Sequence, residues 1–274
     1  LLHSYVNDSH EKQIADIFRQ HMPSVLISLS SSVSPQMREY ERFNTTIANA
    51  YIQPLMKAYL DRLKGRLQAA GADCPVFLMH SGGGIISLES AAAFPVRLVE
   101  SGPAGGAIFA AEIAGRHQLD KVLSFDMGGT TAKICLIQNH TPKTARVFEV
   151  ARSYRFKKGS GMPVSIPVID MVEIGAGGGS LAHVDQLRQI RVGPESAGSE
   201  PGPACYGRGG ECPAVTDADL IMGKLDPDNF AGGSIQLETG KSADALNAHI
   251  GQILDMDATE AAWGLAEVVD ENMA

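Results

Sequence analysis

The pattern with the clearest chemical use lies near the middle of the chain, where an apolar run ends in Asp126 and a second apolar run follows a Gly-Gly-Thr-Thr turn. Gly128 and Gly129 allow a backbone to approach an anion without obstruction by Cβ atoms. The N–H groups of such a turn, with the hydroxyls of Thr130 and Thr131, can bind a phosphate. A carboxylate at a strand end can hold Mg²⁺ beside phosphates. We therefore predict Asp126 as the catalytic and metal-binding residue, and the four turn residues as phosphate contacts, although a plain tight hairpin has the same composition.

Other residues of reactive type have weaker patterns. His80 and His183 each lie beside a glycine-rich segment, but a single His is usually a surface or satisfied core group. Ser81 precedes three glycines, yet the G-x-S-x-G pattern of a serine hydrolase is absent. Cys205 and Cys212 flank a glycine-rich loop, where two thiols alone are weak evidence for a metal, so we expect reduced thiols.

These residues must be positioned by strands alternating with helices, which predicts an α/β fold. Helical spacing covers residues 8–21, 40–70, 87–93, an Ala-rich stretch ending near 116, 217–224 and the part from 242 onward. Strand patterns cover residues 25–29, 75–79, 121–126, 132–138, 145–154 and 167–174.

Three details of this assignment can be tested against a structure. Asp8 is a good N-cap residue for the first helix. An apolar side chain recurs every four residues from 43 to 67, which is a helical spacing, and Pro54 predicts a kink or a split there. Residues 175–213 are rich in Gly and Pro, which indicates a long functional loop region.

Composition excludes several classes of protein. The 274 residues are 44% hydrophobic and 20% charged, as in ordinary globular domains. A formal net charge of −8 without a long basic run argues against a nucleic-acid partner. No apolar stretch is long enough for a membrane helix, and no signal peptide is recognisable. We expect a cytoplasmic protein, and the abrupt ends indicate a fragment of a longer one.

The turn at Asp126 resembles the phosphate-binding hairpin of the actin/hexokinase/Hsp70 ATPase superfamily. Six further segments are similar to motifs of the hydantoinase A/5-oxoprolinase family. They are HSGGG at 80–84, SGPAGG at 101–106, EIGAGGGS at 173–180, RVGPESAG at 191–198, PGPACYGRGG at 201–210 and TDAD at 216–219. Residues 38–42 (REYER) also match, so the resemblance covers essentially the whole chain.

This resemblance implies a ribonuclease H-like lobe of an actin-like ATPase with flanking helices, and ATP and Mg²⁺ as cofactors. Residues 1–72 would be the end of a preceding lobe with connecting helices, and residues 73–274 the ATPase lobe. Gly177, Gly178 and Gly179 would line the nucleotide cleft, with Asp170 and Glu173 either beside them or on a solvated strand edge.

The resemblance further implies ATP-dependent hydrolysis of a small cyclic amide of the hydantoin, N-methylhydantoin or 5-oxoproline type. A hydantoinase B-type partner subunit or domain and an oligomeric state are expected, and the 274 residues alone should lack ATPase activity. Many relatives have Asp where this chain has Lys133, which leaves a metal-binding role for that position in doubt. The alternatives are a carboxylase subunit of the acetone or acetophenone type and a non-catalytic scaffold; the glycine-rich motifs argue against a sugar kinase.

Overall fold

The structure is a computed structural model that describes residues 1–154 and 159–273, and it has the predicted α/β class. Its α-helices are α1 (Ser9–His21), α2 (Ser30–Val33), α3 (Glu39–Ala69), α4 (Leu88–Ala93), α5 (Ser101–Arg116), α6 (Val215–Ile221), α7 (Thr239–Leu246), α8 (Gln252–Leu254) and α9 (Ala258–Met273). Short 3-10 helices lie at Pro95–Leu98, Ala204–Tyr206 and Phe230–Gly233, and a π-helical turn lies at Asn247–Gly251.

The strands are short. They are β1 (Phe77–Met79), β2 (Ile85–Ser87), β3 (Lys121–Met127), β4 (Ala132–Gln138), β5 (Thr141–Pro142), β6 (Thr144–Ala145), β7 (Phe148–Val150), β8 (Met162–Val164), β9 (Val168–Ile169), β10 (Met171–Ile174), β11 (Ser180–Val184) and β12 (Ile190–Ser196). The largest sheet has the order β10-β4-β3, with β5 also paired to β4. The other strands form two-stranded antiparallel pairs, β1-β2, β6-β9, β7-β8 and β11-β12.

The chain divides into two compact units. Unit 1 contains Leu1–Ser124 and Cys135–Met171, and unit 2 contains Phe125–Ile134 and Val172–Ala274. In unit 1, α5 presents an alanine face to the buried side of β4, where Cys135 and Ile137 lie. In unit 2, α6 and α9 pack against the β11-β12 hairpin around Leu246, Ile250 and Leu265. The predicted domains 1–72 and 73–274 refer to a larger protein and stay a prediction.

The sequence patterns predict the positions of most helices and strands correctly, but they do not predict which strands pair. The predicted strand at residues 25–29 is wrong: the segment is extended but pairs with no strand in the described chain. Residues 167–174 divide into β9 and β10, and the region expected to be irregular contains the β11-β12 hairpin. Strand pairing depends on a partner at the right place, which a local pattern does not contain.

The first helix also differs in detail from its pattern. Asp8 precedes α1 but makes no side-chain cap; it forms an ion pair with Lys12 at 2.8 Å instead. The apolar residues that give α1 its helical spacing are Ile14, Ile17 and Phe18, and all three are exposed. The position of a helix is therefore better predicted here than the face that it buries.

Helix α3 departs furthest from expectation. It runs through Pro54 as one 31-residue helix, so the predicted split is wrong. Its buried residues are mostly polar, and its apolar residues with four-residue spacing largely face solvent. Asn49 explains this orientation, because its side chain bonds with Ser28 Oγ, the Ala93 carbonyl and the Val96 N–H.

Within the described residues, no helix combines the length and apolarity needed to cross a bilayer.

Candidate functional site

The Gly-Gly-Thr-Thr turn forms the tip of the β3-β4 hairpin in unit 2. The Gly128 N–H donates to the Thr131 carbonyl at 3.0 Å, which closes a tight turn with Gly129 and Thr130 at its centre. Gly128, Gly129 and Thr130 are exposed, and Thr131 is half-buried. We call residues 128–131 the hairpin tip. The segment is therefore a tight hairpin with an accessible tip, and phosphate contact by its four residues stays a prediction.

The second glycine cluster, at residues 177–179, packs directly on the hairpin tip; we call it the glycine loop. The Gly178 N–H donates to the Gly128 carbonyl at 3.0 Å, and the Gly179 N–H donates to the Gly129 carbonyl at 2.7 Å. The sequence predicts both segments as parts of one site, and the structure brings them together within unit 2.

The close packing requires glycine at two positions of the loop. A Cβ on Gly177 would lie 2.7 Å from the Gly128 carbonyl oxygen and 2.7 Å from the Thr130 backbone nitrogen. A Cβ on Gly179 would lie 2.8 Å from the Gly129 carbonyl oxygen. These neighbours are backbone atoms, so no side-chain rotation could relieve the overlap.

The N–H groups of the glycine loop are already donated within the protein. Besides the two bonds to the hairpin tip, the Gly177 N–H donates to Ser180 Oγ at 3.0 Å. The glycine loop thus holds the hairpin tip through the carbonyl groups of the tip. Direct contact of Gly177, Gly178 and Gly179 with a cofactor stays a prediction, and it would not use these N–H groups as they stand.

A further layer of polar groups holds the glycine loop. Thr216 uses its N–H and its hydroxyl to bind the Gly178 carbonyl, both at 2.8 Å. The Ala197 N–H binds the Gly179 carbonyl at 2.8 Å. Thr216 lies in the first turn of α6 and is buried, so α6 anchors the loop that supports the tip.

Asp217, next to Thr216, is a fully buried carboxylate with four hydrogen-bond donors. The backbone N–H groups of Ala204, Cys205 and Ala214 lie 3.1, 2.8 and 2.9 Å from its oxygens, and Ser242 Oγ lies at 2.7 Å. The bond from Ala214, the residue just before α6, caps the start of that helix. The other three bonds join the segment after β12 to α6 and α7, so Asp217 is structural.

The hairpin tip has donors that no acceptor in the described residues uses. Within the described residues, the N–H groups of Gly129 and Thr130 and the hydroxyls of Thr130 and Thr131 donate no hydrogen bond. Asp126 is exposed, and its side chain forms no ion pair or hydrogen bond within the described residues. Unpaired N–H groups and hydroxyls at a turn suit an anion such as phosphate.

The donor set also fits a single-carboxylate magnesium site. The described residues contain no group of three or more His, Cys, Asp or Glu that could enclose a metal ion. Mg²⁺ commonly binds one or two carboxylates and fills its remaining positions with phosphate oxygens and water. Asp126, exposed beside the hairpin tip, matches that mode of binding, and its assignment as a magnesium ligand remains a prediction.

Lys133 lies on β4 close to the hairpin tip and is mostly buried. Its Nζ is 3.4 Å from Glu173 Oε1 on β10, so Glu173 offsets its charge. Asp170 is engaged elsewhere, in an ion pair with Lys143 at 2.8 Å, which raises the pKa of Lys143 through the hydrogen bond and the charge of Asp170. Of the two carboxylates named from the sequence, Glu173 lies in the same unit as the tip.

The histidine and serine of the first glycine-rich segment have structural contacts in unit 1. His80 Nδ1 accepts the Gly82 N–H at 3.0 Å, and burial together with the Arg97 charge lowers the pKa of His80. Ser81 is buried, and its hydroxyl lies 2.9 and 3.0 Å from the carbonyls of Arg97 and Pro167. These contacts agree with the expectation that Ser81 is not a nucleophile. His183 is exposed on β11.

All four cysteines are free. Cys205 and Cys135 are buried, and burial raises the pKa of both thiols; the nearby Asp217 carboxylate adds to the effect at Cys205. Cys74 and Cys212 are exposed. The thiols of Cys205 and Cys212 belong to no metal-binding group among the described residues.

The residues that hold the glycine loop in place were not predicted from the sequence. Ser180, Ala197 and Thr216 hold the glycine loop, yet none was named as a site residue. Ser180 directly follows three glycines, and Thr216 directly precedes Asp217. Both residues lie inside motifs recognised in the sequence, and this position could have indicated their role.

Several known proteins are similar to this chain in sequence and structure. The alpha subunit of caprolactamase from Pseudomonas jessenii is 35% identical over 97% of this chain and 37% of its own length. The solved structure of ATP-dependent caprolactamase from the same organism has 32% identity and a TM-score of 0.68, and covers 99% of this chain and 38% of that one. A nucleotide-free structure of acetone carboxylase, from work on ATP-dependent acetone carboxylation, has 29% identity, a TM-score of 0.81, and covers 100% of this chain and 38% of that one.

The chain therefore spans less than half the length of these relatives. The Hydantoinase/oxoprolinase family model matches residues 42–274, which include the hairpin tip, the glycine loop and their supports. The chain belongs to the hydantoinase/oxoprolinase family.

Proposed function

We propose that the whole protein uses ATP to hydrolyse a cyclic amide, and that the hairpin tip binds the phosphates of ATP. The observation that carries this proposal is the difference between the carbonyl groups and the N–H groups of the tip. Its carbonyls at Gly128 and Gly129 accept hydrogen bonds from the glycine loop, while the N–H groups of Gly129 and Thr130 donate to no acceptor in the described residues. A tip whose carbonyls are hydrogen-bonded and whose N–H groups are unpaired favours an anion.

The chemistry explains why ATP is needed. A cyclic amide resists attack by water because its nitrogen is a poor leaving group. In the proposed reaction the amide oxygen attacks the γ-phosphorus and ADP leaves, which gives an O-phosphorylated ring. Water then adds to the activated carbon, and the ring nitrogen takes a proton and leaves as the C–N bond breaks, which opens the ring to an acyl phosphate. A second water hydrolyses the acyl phosphate to a carboxylate and free phosphate.

The residues of the chain contribute by position and charge. The free N–H groups of Gly129 and Thr130 and the hydroxyls of Thr130 and Thr131 would bind phosphate oxygens, since phosphoryl transfer depends mainly on positioning and charge neutralisation. Asp126 would hold Mg²⁺, which when bound neutralises charge on the phosphates. The glycine loop and Thr216 would keep the tip in one conformation.

The relatives support both ATP use and an amide substrate, without fixing which amide. Caprolactamase is named for a cyclic amide, and its structure is described as ATP-dependent. Hydantoin, N-methylhydantoin and 5-oxoproline remain the proposed substrate types. The caprolactamase relative is named as a subunit, which supports a hydantoinase B-type partner subunit or domain for this protein. A cytoplasmic location also stays a prediction.

One specific observation favours a second candidate, an ATP-dependent ketone carboxylase. Acetone carboxylase has the higher TM-score of the two structures compared above. ATP would then activate a ketone rather than an amide, with the same use of the hairpin tip. A non-catalytic scaffold is the remaining alternative, and it predicts no affinity for nucleotide.

The test is phosphate release by the whole protein with its partner, screened over hydantoins, 5-oxoproline, lactams, and ketones with bicarbonate. We expect a cyclic amide to stimulate ATP consumption and to be opened in step with it. Stimulation by ketone and bicarbonate alone would replace the proposal with the carboxylase, and absence of nucleotide binding would favour the scaffold.

A further inference from the structure

The β3-β4 hairpin places a lysine opposite the proposed magnesium ligand. The Gly128 N–H donates to the Thr131 carbonyl at 3.0 Å, so these two residues face each other at the tip. Two residues farther from the tip along each strand, Asp126 on β3 therefore lies opposite Lys133 on β4. Side chains directly opposite in an antiparallel pair project from the same face of the sheet, with Cβ atoms about 4.5–5.5 Å apart. Asp126 and Lys133 are therefore neighbours on one face.

The same register holds at the far end of the hairpin. There the Asn139 N–H donates to the Asp120 carbonyl at 2.8 Å. Asp120 and Asn139 lie equally far from the tip along the chain, so no residue is inserted in either strand between the two bonds. A β-bulge, which would shift the pairing by one residue, is therefore absent from this stretch. Bonds on both sides of the pair thus fix Asp126 opposite Lys133.

Lys133 lies between two carboxylates. β4 is the middle strand of the order β10-β4-β3, and Lys133 Nζ is 3.4 Å from Glu173 Oε1 on β10. Asp126 lies on β3, the neighbour on the other side. The Lys133 side chain is 14% exposed, so water and salt screen its charge poorly. We call Asp126, Lys133 and Glu173 the charged row; all three belong to unit 2, and together they carry two negative charges and one positive charge.

The charge of this row determines how strongly it attracts a free divalent cation. Asp126 and Glu173 without the lysine would present two carboxylates, and Mg²⁺ commonly binds one or two carboxylates together with water. The Lys133 ammonium offsets one of the two negative charges. It also repels a second cation, because like charges a few ångströms apart oppose each other strongly where water is scarce. ATP changes this balance, since its phosphates supply further oxygen ligands and negative charge to the metal.

We propose that Lys133 makes metal binding at Asp126 dependent on ATP. This inference rests on the proposed function, in which Asp126 holds Mg²⁺ beside the phosphates. The Lys133 ammonium opposes binding of a free divalent cation, and the phosphates of ATP bring the negative charge that overcomes this opposition. Glu173 holds the ammonium toward β10, so the Asp126 carboxylate stays available to a metal that arrives with ATP. Lys133 acts here through its charge and determines specificity without taking part in the chemical step.

The first test is binding of Mn²⁺ to the whole protein without nucleotide, measured by the electron paramagnetic resonance of the unbound ion. Mn²⁺ prefers the same oxygen ligands as Mg²⁺. We expect weak binding to the wild type and about tenfold tighter binding to Lys133→Met, in which Asp126 and Glu173 keep their charges without a cation between them. Lys143→Met is the matched control. It removes a lysine that pairs with Asp170 at 2.8 Å in unit 1, and it should leave Mn²⁺ affinity unchanged.

Double variants locate the Mn²⁺ that Lys133→Met gains. Adding Asp126→Asn or Glu173→Gln should return Mn²⁺ affinity to within about threefold of the wild type, because each restores the net charge of the charged row. Lys133→Arg keeps the positive charge and should behave as the wild type. Lys133→Gln provides a second neutral variant in case Lys133→Met does not fold.

The same titrations with ATP present separate the role of Lys133 from the proposed function. If ATP fails to tighten Mn²⁺ binding to the wild type, the proposed function fails and this inference fails with it. If ATP does tighten that binding, but neither neutral variant gains Mn²⁺ affinity without ATP, only the role of Lys133 is overturned. A gain that survives Asp126→Asn, or an equal gain in Lys143→Met, overturns it as well.

Discussion

Replacing Gly177 with alanine should damage the candidate site more than any other single methyl group added to the glycine loop. The new Cβ would lie 2.7 Å from the Gly128 carbonyl oxygen and from the nitrogen and carbonyl carbon of Thr130. Because these are backbone atoms, the glycine loop and the hairpin tip must move apart. The bonds from Gly178 and Gly179 to the tip, at 3.0 and 2.7 Å, would lengthen or break.

The magnitude follows from two contributions. Overpacking by a methyl group costs about 1–3 kcal/mol. Two weakened hydrogen bonds add about 0.5–1.5 kcal/mol each. We expect Gly177→Ala to destabilise unit 2 locally by about 2–6 kcal/mol, and to reduce ATP affinity if the tip binds phosphate. Gly175→Ala is the matched control, since a Cβ there meets no atom within 4 Å.

Amide hydrogen exchange is the appropriate assay, because it reports local opening separately from unfolding of the whole protein. The amides of Gly178 and Gly179 should be protected in the wild type and in Gly175→Ala, and should exchange much faster in Gly177→Ala. Equal protection in both variants would refute the packing argument, and would show that the two loops separate without cost.

Three further predictions concern the burial of Asp217, His80 and the cysteines. Asp217→Asn should destabilise the protein by about 2–4 kcal/mol in denaturant unfolding, because an amide cannot accept from all four donors; Asp219→Asn, at a half-buried position on the same helix, should have a smaller effect. Because the pKa of His80 is lowered in the folded state, stability should be full above about pH 6.5 and fall as pH drops toward the folded pKa, and this loss should be absent in His80→Gln. Under native conditions iodoacetamide should modify Cys212 but not Cys205, as peptide mass spectrometry would reveal; equal labelling would contradict the burial described.

The hairpin was predictable from local sequence because its signals lie within a dozen residues. Apolar strands on both sides and a Gly-Gly turn dictate a tight hairpin wherever the segment is placed. The glycine loop could be named but not joined to the tip by physical reasoning, since its bonds to Gly128 and Gly129 connect residues about fifty positions apart. Such a contact depends on the path of β10 and on the anchor at Thr216, which no local pattern contains.

The orientation of α3 shows the opposite case, in which a strong local pattern was misleading. Apolar spacing indicated a helix correctly, but much of the face that it marks is exposed. Asn49 and its bonds to Ser28 and Ala93 decide the orientation, and those partners are distant in sequence. The strand predicted at residues 25–29 is wrong for a similar reason. The segment has the local pattern of a strand, but no strand of the described chain pairs with it.

The central claim is that the hairpin tip, with Asp126, binds the phosphates and magnesium of ATP. The most direct measurement is calorimetric binding of ATP to the whole protein with and without Mg²⁺, comparing the wild type with Asp126→Asn and with Asp270→Asn, an exposed carboxylate on α9. The account predicts that Mg²⁺ strengthens ATP binding in the wild type and in Asp270→Asn, and that this gain is largely lost in Asp126→Asn. An equal gain from Mg²⁺ in all three proteins would contradict it.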